Sequence, residues 1–527
     1  MHQTLPFLFV VVIVIVLVQM LAKKLNVAYP ILVVVAGLLV SLIPSVPTLR
    51  LNPDWVFFVF LPPLLFDAAW SISFKGLKRW WRIIGSFSFL VVFFTATAVA
   101  FFANSFIPGF SLALGFLLGG IVSPPDAVSA GAIMKFVNIP KSTATILEGE
   151  SLFNDASSLI IFRFAMIAVA TGQFIWSEAI FSFSWMVLGG VGIGLLIGWI
   201  FMQAHKRLPM DAPSNIVFTL IEPFILYWVA EQVHSSGVMA VVTGGLFLAN
   251  RRFRILNSEA RIRGFSFWQS FVFLLNGVVF FVIGLDLKEV VEGLNKAGVS
   301  IGDGIFYGII VTAFIIFIRI VASFIALFST FLFRRSIIAP DFSFKKAWST
   351  PLVLGWTGMR GVVSLAAACS IPVYLDDGTA FPQRELILFI SFMVIILTLF
   401  VQGLTLPFIL RRVKLNRMIK ISEGEKSFET QLRRDLWQFS IKEIEKKYHH
   451  HIEGNVFLAS ALAKWQQKLD TVEEALVNAE TKTVYLELLE AQRQFLIEKN
   501  KASHIEEEVI RKEITLIDIE EEKVKLL

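Results

Sequence analysis

The chain has 527 residues, of which 56% are hydrophobic and only 17% are charged. A soluble domain usually carries about 25% charged residues, so this composition argues against a chain that folds entirely in water. The formal net charge of +6 is compatible with nucleic-acid binding, but most basic residues before 413 lie in short segments between apolar stretches. The apolar stretches end near residue 412, and the remainder is rich in Lys, Glu and Arg. We therefore predict a transmembrane domain at 1–412 and a helical cytoplasmic tail at 413–527, with the lipid bilayer and not nucleic acid as a partner.

The apolar stretches predict an all-α, polytopic membrane protein. A spanning helix needs about 20 mostly apolar residues. The first stretch has no Lys or Arg before it and no small-residue cleavage site after it, so we count it as a helix and not as a signal peptide. Thirteen segments qualify, at 5–22, 26–44, 53–73, 83–105, 109–134, 143–171, 183–203, 214–231, 235–250, 268–286, 302–333, 350–372 and 385–410.

The distribution of basic residues orients these helices. The loops that follow the odd-numbered predicted helices contain 19 Lys and Arg residues, and the loops that follow the even-numbered helices contain four. Cytoplasmic loops carry an excess of Lys and Arg. We therefore expect a multi-pass protein of the cell membrane, with its N-terminus outside and its tail in the cytoplasm.

Several charged residues lie where the bilayer makes them costly. A charged group at mid-membrane costs at least ~2.5 kcal/mol on insertion scales, so such residues usually have a function. They are Asp67 in predicted helix 3, Asp126 in helix 5, Glu148, Glu150 and Asp155 in helix 6, and Arg360 in helix 12. Arg163 and Arg319 also lie within apolar stretches, and both pairing with acids and snorkelling remain open for them.

Two of these helices carry residues that interrupt a helix. Pro124 and Pro125 lack the backbone donor and break helix 5 just before Asp126. Glycines surround Arg360 in helix 12 at positions 355, 358 and 361. Interrupted helices in corresponding halves indicate a transporter binding site. Helices 5 and 12 are an odd number of helices apart and run in opposite directions, which predicts two inverted repeats, helices 1–6 and 8–13.

The spacing within predicted helix 6 collects oxygen-bearing side chains. Asp155 lies about 18 Å along the axis from residue 143, close to the midplane. Ser151, Asp155 and Ser158 share one face, and Glu150 with Asn154 forms a neighbouring i, i+4 pair. Carboxylate, hydroxyl and carbonyl oxygens are the ligands that hard cations prefer. The pattern indicates a cation site.

Each of these acids also has a purely structural interpretation. Asp126 and Asp155 would then form a hydrogen-bonded network that only joins helices 5 and 6, an expensive arrangement without a cation. For Glu150 and Arg360 we favour a structural ion pair between helices 6 and 12. For Asp67, a place on the ion pathway and a hydrogen bond to nearby backbone are equally supported.

The segments LPPLLFDAAW, GGIVSPPDAVSA, GESLFND and GMRGVVS, in this order, resemble the bacterial sodium/proton exchangers of the monovalent cation:proton antiporter family. The resemblance covers about residues 1–412. It implies a homodimer in which helices 4–6 and 11–13 form a moving core. The Asn-Asp pair of GESLFND resembles the branch of the family regarded as electroneutral.

The resemblance also implies roles for individual residues. Glu150 and Arg360 match the buried ion pair of the family. The implied cation and proton ligands are Asp155 as main carrier, Asn154, Asp126, Ser151, the carbonyl of Pro125, and Asp67 near the site. No cofactor is implied beyond the transported ions.

These observations lead to a functional hypothesis. Burial disfavours a charged carboxylate, so a proton or a cation, but not both, neutralises Asp155. The chain is then not an enzyme but a secondary transporter that exchanges Na⁺, with K⁺ and Li⁺ as alternatives, for H⁺ by alternating access, for pH and sodium homeostasis. A cation channel and a cation or pH sensor are the alternatives. A Ser-His intramembrane protease is disfavoured because the seven histidines lie outside the predicted membrane cores, and an aspartyl protease because GxGD is absent.

The tail has helical periodicity and mixed charge, as in YLELLEAQRQFLIEKN. We predict several amphipathic helices, which either extend or stabilise a dimer or act as a regulatory sensor. His449, His450 and His451 titrate near neutrality if they are exposed. The single cysteine, Cys369, excludes an intramolecular disulfide.

Overall fold

The structure is a computed structural model. It describes residues 4–25, 27–43, 56–126, 141–172, 176–333, 349–375, 377–412, 422–447, 456–470, 479–499 and 507–526. Within these residues the chain is helical, with one isolated β-bridge between Tyr374 and Ala380 and no strand. The predicted all-α class is confirmed. Contacts divide the chain into two units, Met1–Ile419 and Lys420–Leu527.

In the first half of the membrane unit, the described residues form seven helices. They are α1 (Thr4–Leu25), α2 (Tyr29–Ser41), α3 (a π-helical turn at Val56–Phe60 leading into Leu61–Ser71), α4 (Phe74–Phe106), α5 (Leu112–Val122), α6 (Lys141–Thr171) and α7 (Trp176–Arg207). α4 contains a π-helical turn at Ser86–Val91. Residues 127–134, the end of predicted helix 5, lie outside the described residues.

Six more helices lie in the part of the second half that the structure describes. They are α8 (Ala212–Gln232), α9 (Gly237–Ala249), α10 (Ser258–Lys296), α11 (Ile301–Phe333), the two pieces α12a (Ser349–Trp356) and α12b (Val362–Cys369), and α13 (Arg384–Leu397, a π-helical turn at Thr398–Gln402, and Gly403–Arg412). A short helical turn at Arg252–Ile255 precedes α10.

Each of the thirteen predicted segments overlaps one of these helices. The interruption of predicted helix 12 is present, and α5 ends at Val122, before the two prolines, while any continuation after Asp126 lies outside the described residues. In the described part of the chain, eight helices are long and apolar enough to cross a membrane, and four shorter apolar helices accompany them. The number of crossings and the inverted repeat stay predictions. Several helices are longer than their apolar cores: α4 begins at Phe74 and not at 83, because its amphipathic first turns carry Lys and Arg and continue the backbone hydrogen bonding beyond the apolar stretch.

Close contact between α4 and α5 depends on small residues. A Cβ added at Gly115 or Gly119 would lie 2.5 Å from the carbonyl oxygen of Ala100 or Ala96. Small residues four apart allow two helix backbones to approach closely, which suits packing in lipid, where helices gain little from burying apolar surface against each other. α6 packs against the other side of α5. The interrupted end of α5 is thereby fixed between its neighbours.

In the tail unit the residues that the structure describes form four helices, α14 (Ser422–Lys447), α15 (Val456–Asp470), α16 (Ala479–Lys499) and α17 (Glu507–Leu526). α14 packs on α15, and α16 packs on α17. Arg493 of α16 forms ion pairs with Glu490 on its own helix and with Asp518 and Glu521 on α17. His449, His450 and His451 lie outside the described residues.

Candidate functional site

The site begins where α5 ends. The last helical residue is Val122. The Ser123 N–H still donates to the carbonyl oxygen of Gly119 at 3.0 Å, and Pro124, Pro125 and Asp126 follow outside the helix. The two prolines supply no N–H groups, so the carbonyls of the last turn of α5 need donors from elsewhere. All of this segment is buried except Asp126, which is partly exposed.

The second break supplies those donors. The Arg360 side chain is fully buried, and its Nε donates to the carbonyl oxygen of Val122 at 2.7 Å. Its Nη1 donates to the carbonyl oxygen of Gly358 in its own segment. In return, the backbone N–H of Asp126 donates to the carbonyl oxygen of Met359 at 2.6 Å. The two interrupted segments therefore lie in contact and satisfy each other's backbone; we call this point of contact the crossing.

A third helix completes the crossing. The side-chain nitrogen Nδ2 of Asn154, on α6, donates to the carbonyl oxygen of Pro125 at 3.2 Å. Asn154 is completely buried, and its Oδ1 has no hydrogen-bond partner among the described residues. Because Nδ2 is committed to Pro125, the free oxygen is the atom that Asn154 presents to the site.

Asp155 is the next residue on α6, and its side chain is almost buried, at 8% exposure. It lies close enough to Asp126 for the two carboxylates to repel each other. The Asp126 carboxylate lies directly against Gly361, where an added Cβ would overlap it. Asp126 also interacts electrostatically with Tyr29 of α2. Two acids are thus held together where the two helix breaks cross, an arrangement that suits a cation.

α6 is held in place beside this crossing by the π-helical turn of α4. The Ser157 hydroxyl donates to the carbonyl oxygen of Ser88 at 2.5 Å, and the Ser88 hydroxyl donates to the carbonyl oxygen of Glu150 at 3.0 Å. π-helical turns frequently occur at functional sites. This one joins Ser88 of α4 to α6 at Glu150 and at Ser157, on either side of Asp155.

Comparison with known proteins agrees with this geometry. Residues 9–412 match the model of the family described as "Sodium/hydrogen exchanger, transmembrane". This chain belongs to the sodium/hydrogen exchanger family. The predicted resemblance is therefore confirmed over the whole membrane unit that the apolar stretches define.

Curated relatives of this exchanger carry antiporter names. It is 33% identical over 387 residues to a "Sodium, potassium, lithium and rubidium/H(+) antiporter" of Bacillus pumilus, and the match covers 72% of this chain and 57% of that protein. It is 32% identical over 392 residues to the "Low-affinity Na(+)/H(+) antiporter NhaS1" of Synechocystis, covering 74% of this chain and 70% of the relative. The match thus spans little more than half the length of the Bacillus protein.

A solved structure has the same fold. The sodium proton antiporter MjNhaP1 from Methanocaldococcus jannaschii, determined at pH 8, superposes with a TM-score of 0.62 and 19% sequence identity. The superposition covers 78% of this chain and 99% of that one. The fold of the exchanger domain is therefore that of MjNhaP1.

The structure brings some of the predicted site residues together and leaves one apart. Asp155, Asp126, Asn154 and Pro125 meet at the crossing, and Ser151 is buried on α6 one turn before Asp155. Asp67 lies in α3, where its backbone carbonyl accepts from the Ser71 hydroxyl at 2.8 Å. No hydrogen bond or ion pair between described residues joins the Asp67 side chain to the crossing.

The expected ion pair of Glu150 with Arg360 needs correction. Glu150 Oε1 accepts from Arg319 Nη2 of α11 at 2.6 Å, and both side chains are 1% exposed. Among the described residues Arg360 forms no ion pair with Glu150: its Nε and Nη1 donate to backbone carbonyls in the two breaks, and its Nη2 has no hydrogen-bond partner there. It still lies close enough to interact electrostatically with both Glu150 and Arg319. One buried carboxylate thus faces two buried arginines.

The two arginines left open by the sequence both have acidic partners. Arg319 pairs with Glu150, and Arg163 of α6 pairs with Glu231 at the end of α8. The only signal in the sequence is an Arg inside an apolar stretch, which predicts some partner but does not identify it.

Proposed function

We propose that this exchanger is a secondary transporter, not an enzyme, that exchanges Na⁺ for H⁺ across the cell membrane by alternating access. Asp155 is the carboxylate that binds both ions. The observation that carries this proposal is the burial of Asp155 beside Asp126, at the point where the two helix breaks cross. Membership of the exchanger family and the antiporter names of its relatives support it.

The charge of the site explains the coupling. An ionised carboxylate in a low-dielectric environment is unfavourable, and repulsion from Asp126 adds to the cost. Either a proton or a monovalent cation relieves that cost, and the two compete for the same oxygen atoms. The site moves between the two sides of the membrane at low cost only when it is neutralised. One H⁺ for each Na⁺ makes the exchange electroneutral.

Oxygen atoms available at the crossing suit a hard cation. They come from the carboxylates of Asp155 and Asp126, the free Oδ1 of Asn154, the hydroxyl of Ser151 and the carbonyl of Pro125, which also accepts from Asn154. We place Asp67 on the approach to the site and not among the ligands. One relative's name includes potassium and lithium with sodium, so K⁺ and Li⁺ are the alternative cations.

The proposal extends to the setting of the protein. The exchanger functions as a homodimer in pH and sodium homeostasis, with its N-terminus outside and its tail in the cytoplasm. The asymmetry of basic residues supports this orientation: 19 lie on one set of loops and four on the other.

The test replaces one carboxyl oxygen. Asp155→Asn in proteoliposomes, under a clamped membrane potential, should abolish internal pH changes driven by Na⁺, K⁺ or Li⁺. Asp303→Asn is the matched control, because Asp303 is exposed in the first turn of α11. Retained exchange in Asp155→Asn contradicts the assignment. Cation flux without proton movement in the unmodified chain identifies a channel instead.

A further inference from the structure

A cavity of about 470 Å³ lies among α3, α6, α7, α8 and the start of α9. Its wall includes Phe57 and Phe58 at the start of α3, Leu159 of α6, Tyr227 of α8 and Ser236 before α9. In the orientation proposed from the basic loops, the start of α3, the second half of α6, the end of α8 and the start of α9 lie towards the outer side of the membrane. The cavity is therefore an outer vestibule.

An ion pair forms the charged part of this wall. Arg163 Nη2 donates to both carboxylate oxygens of Glu231, at 3.0 and 2.9 Å. The Glu231 carboxylate also accepts from the backbone N–H of Gly237, the first residue of α9, at 3.2 Å. The side chains are 42% and 29% exposed, so ions in the vestibule have access to both charges.

The ion pair lies on the line from the vestibule to the exchange site. Asp155, Leu159 and Arg163 succeed each other at four-residue steps on α6, so they lie on neighbouring parts of one helix face. At 1.5 Å per residue, Arg163 lies about 12 Å beyond Asp155 along the axis. A cation that moves from the vestibule to Asp155 passes the guanidinium.

We propose that Arg163 and Glu231 set the affinity of the exchanger for its cation on the outer side. This inference rests on the proposed exchange at Asp155. Paired with Glu231, Arg163 presents almost no net charge to an entering cation. Without Glu231 it repels the cation, and without Arg163 the carboxylate attracts it. The two residues are positioning residues for entry and do not bind the cation at the exchange site.

The two single variants must therefore act in opposite directions. A unit charge at about 12 Å, at an effective dielectric constant of about 20 to 40, changes cation affinity about three- to tenfold. Glu231→Gln should raise the KM for external Na⁺ by that factor, and Arg163→Gln should lower it. The double variant should return close to the unmodified value. Added choline chloride should shrink both effects, because salt screens exposed charges.

A change in the KM for external Na⁺ alone distinguishes this role from a purely structural one. The KM for internal Na⁺ and the maximal rate should remain unchanged in both variants. Glu231→Asp should behave like the unmodified chain. Glu259→Gln is the matched control. Glu259 forms an exposed ion pair with Arg263 at the start of α10, which the proposed orientation places on the cytoplasmic side, away from the vestibule. Changes of both variants in the same direction, or on both sides, identify a latch between α6 and α8 and overturn the proposal.

A second measurement does not depend on transport. Phe58→Cys, combined with Cys369→Ser, places one thiol in the vestibule. The thiol is labelled from outside with a cationic and an anionic methanethiosulfonate reagent of similar size. Glu231→Gln should lower the ratio of cationic to anionic labelling rates, and Arg163→Gln should raise it. An unchanged ratio overturns the inference even if Asp155→Asn abolishes exchange, and a changed ratio supports it even if the exchange assignment fails.

Discussion

Asp126 and Arg360 occupy matching places in the two helix breaks, and each satisfies backbone groups of the other segment. In a continuous helix the Asp126 N–H would donate to the carbonyl oxygen of Val122, four residues earlier. Here it donates to Met359, and Arg360 donates to Val122 instead. Irregular backbone at membrane depth persists only where protein or water satisfies its polar groups. This swap of hydrogen-bond partners explains how the two helix breaks are stable side by side.

Arg360→Lys tests the geometric side of this relationship. Lysine keeps the positive charge but lacks the planar fork that reaches the Val122 and Gly358 carbonyls together. A buried carbonyl without a donor costs roughly 1–3 kcal/mol, so we expect a lower thermal unfolding temperature in detergent and a loss of exchange. Arg254→Lys, at an exposed position, should change neither. Unaltered stability in Arg360→Lys would show that only the charge matters.

Asn154→Asp should make exchange depend on pH in a specific direction. An ionised Asp cannot donate to the Pro125 carbonyl, whereas a protonated Asp can. The tie between α6 and the α5 break is therefore present at low pH and lost as pH rises. We expect activity relative to the unmodified chain to fall with increasing pH in vesicle assays. Asn154→Ala has no side-chain donor at any pH, so its activity should stay across the whole pH range at the low level that Asn154→Asp reaches at high pH. A constant ratio across the pH range would contradict this role of the amide.

Much of the membrane unit can be predicted from the sequence because apolar length and breakers act locally. Pro124 and Pro125 lack the backbone donors that a continuing helix needs. α5 ends at Val122 just before them, and the glycine-rich break around Arg360 is present. The π-helical turns could not be predicted. Ser86–Val91 and Thr398–Gln402 have ordinary helical sequences, and their extra residue per turn is set by packing against other helices.

The site was predictable to a similar extent. Asp155, Asn154 and Asp126 stand out because polar groups in an apolar stretch require partners, and the structure brings them together. The partner of Glu150 could not be derived, because Arg319 is 169 positions away in a uniformly apolar stretch. Only the packing of α11 against its neighbours determines which buried arginine reaches which acid.

In the tail, Arg493→Gln should loosen the pairing of α16 with α17. Arg493 is the residue that joins Asp518 and Glu521 of α17 to α16. We expect faster hydrogen–deuterium exchange of both helices in the full-length chain. Lys523→Gln is the control, because the ion pair of Lys523 among the described residues is with Glu520 on the same helix. Equal protection of α16 and α17 from hydrogen exchange in the two variants would mean that apolar contacts alone hold these helices together.

The same cluster predicts a response to acid. Hydrogen bonds from Gln494 and Arg493 hold the pKa of the Glu490 carboxyl below its usual value. A depressed pKa contributes stability above the unfolded-state pKa, and this contribution is lost as pH falls through the folded-state pKa. Protection of α16 should therefore be constant near neutrality and decline only below the usual glutamate range. The decline should be smaller in Glu490→Gln, where nothing titrates at that position.

The final prediction concerns the buried charges beside the site. Glu150 is the carboxylate that faces both Arg319 and Arg360, so Glu150→Gln leaves two buried arginines close to each other. Removing one partner of a buried pair costs roughly 3–5 kcal/mol. Arg319→Gln should cost less, because Glu150 then still faces the positive charge of Arg360.

A double-mutant cycle of these variants, followed by thermal unfolding in detergent, measures the coupling. Glu150→Gln combined with Arg319→Gln should be more stable than Glu150→Gln alone, because only one unpaired arginine remains. Asp303→Asn, at the exposed start of α11, serves as the control for a neutralised acid outside the cluster. Equal losses of stability in Glu150→Gln and Arg319→Gln would show that Glu150 does not stabilise Arg360. The cluster would then be a simple Glu150–Arg319 ion pair.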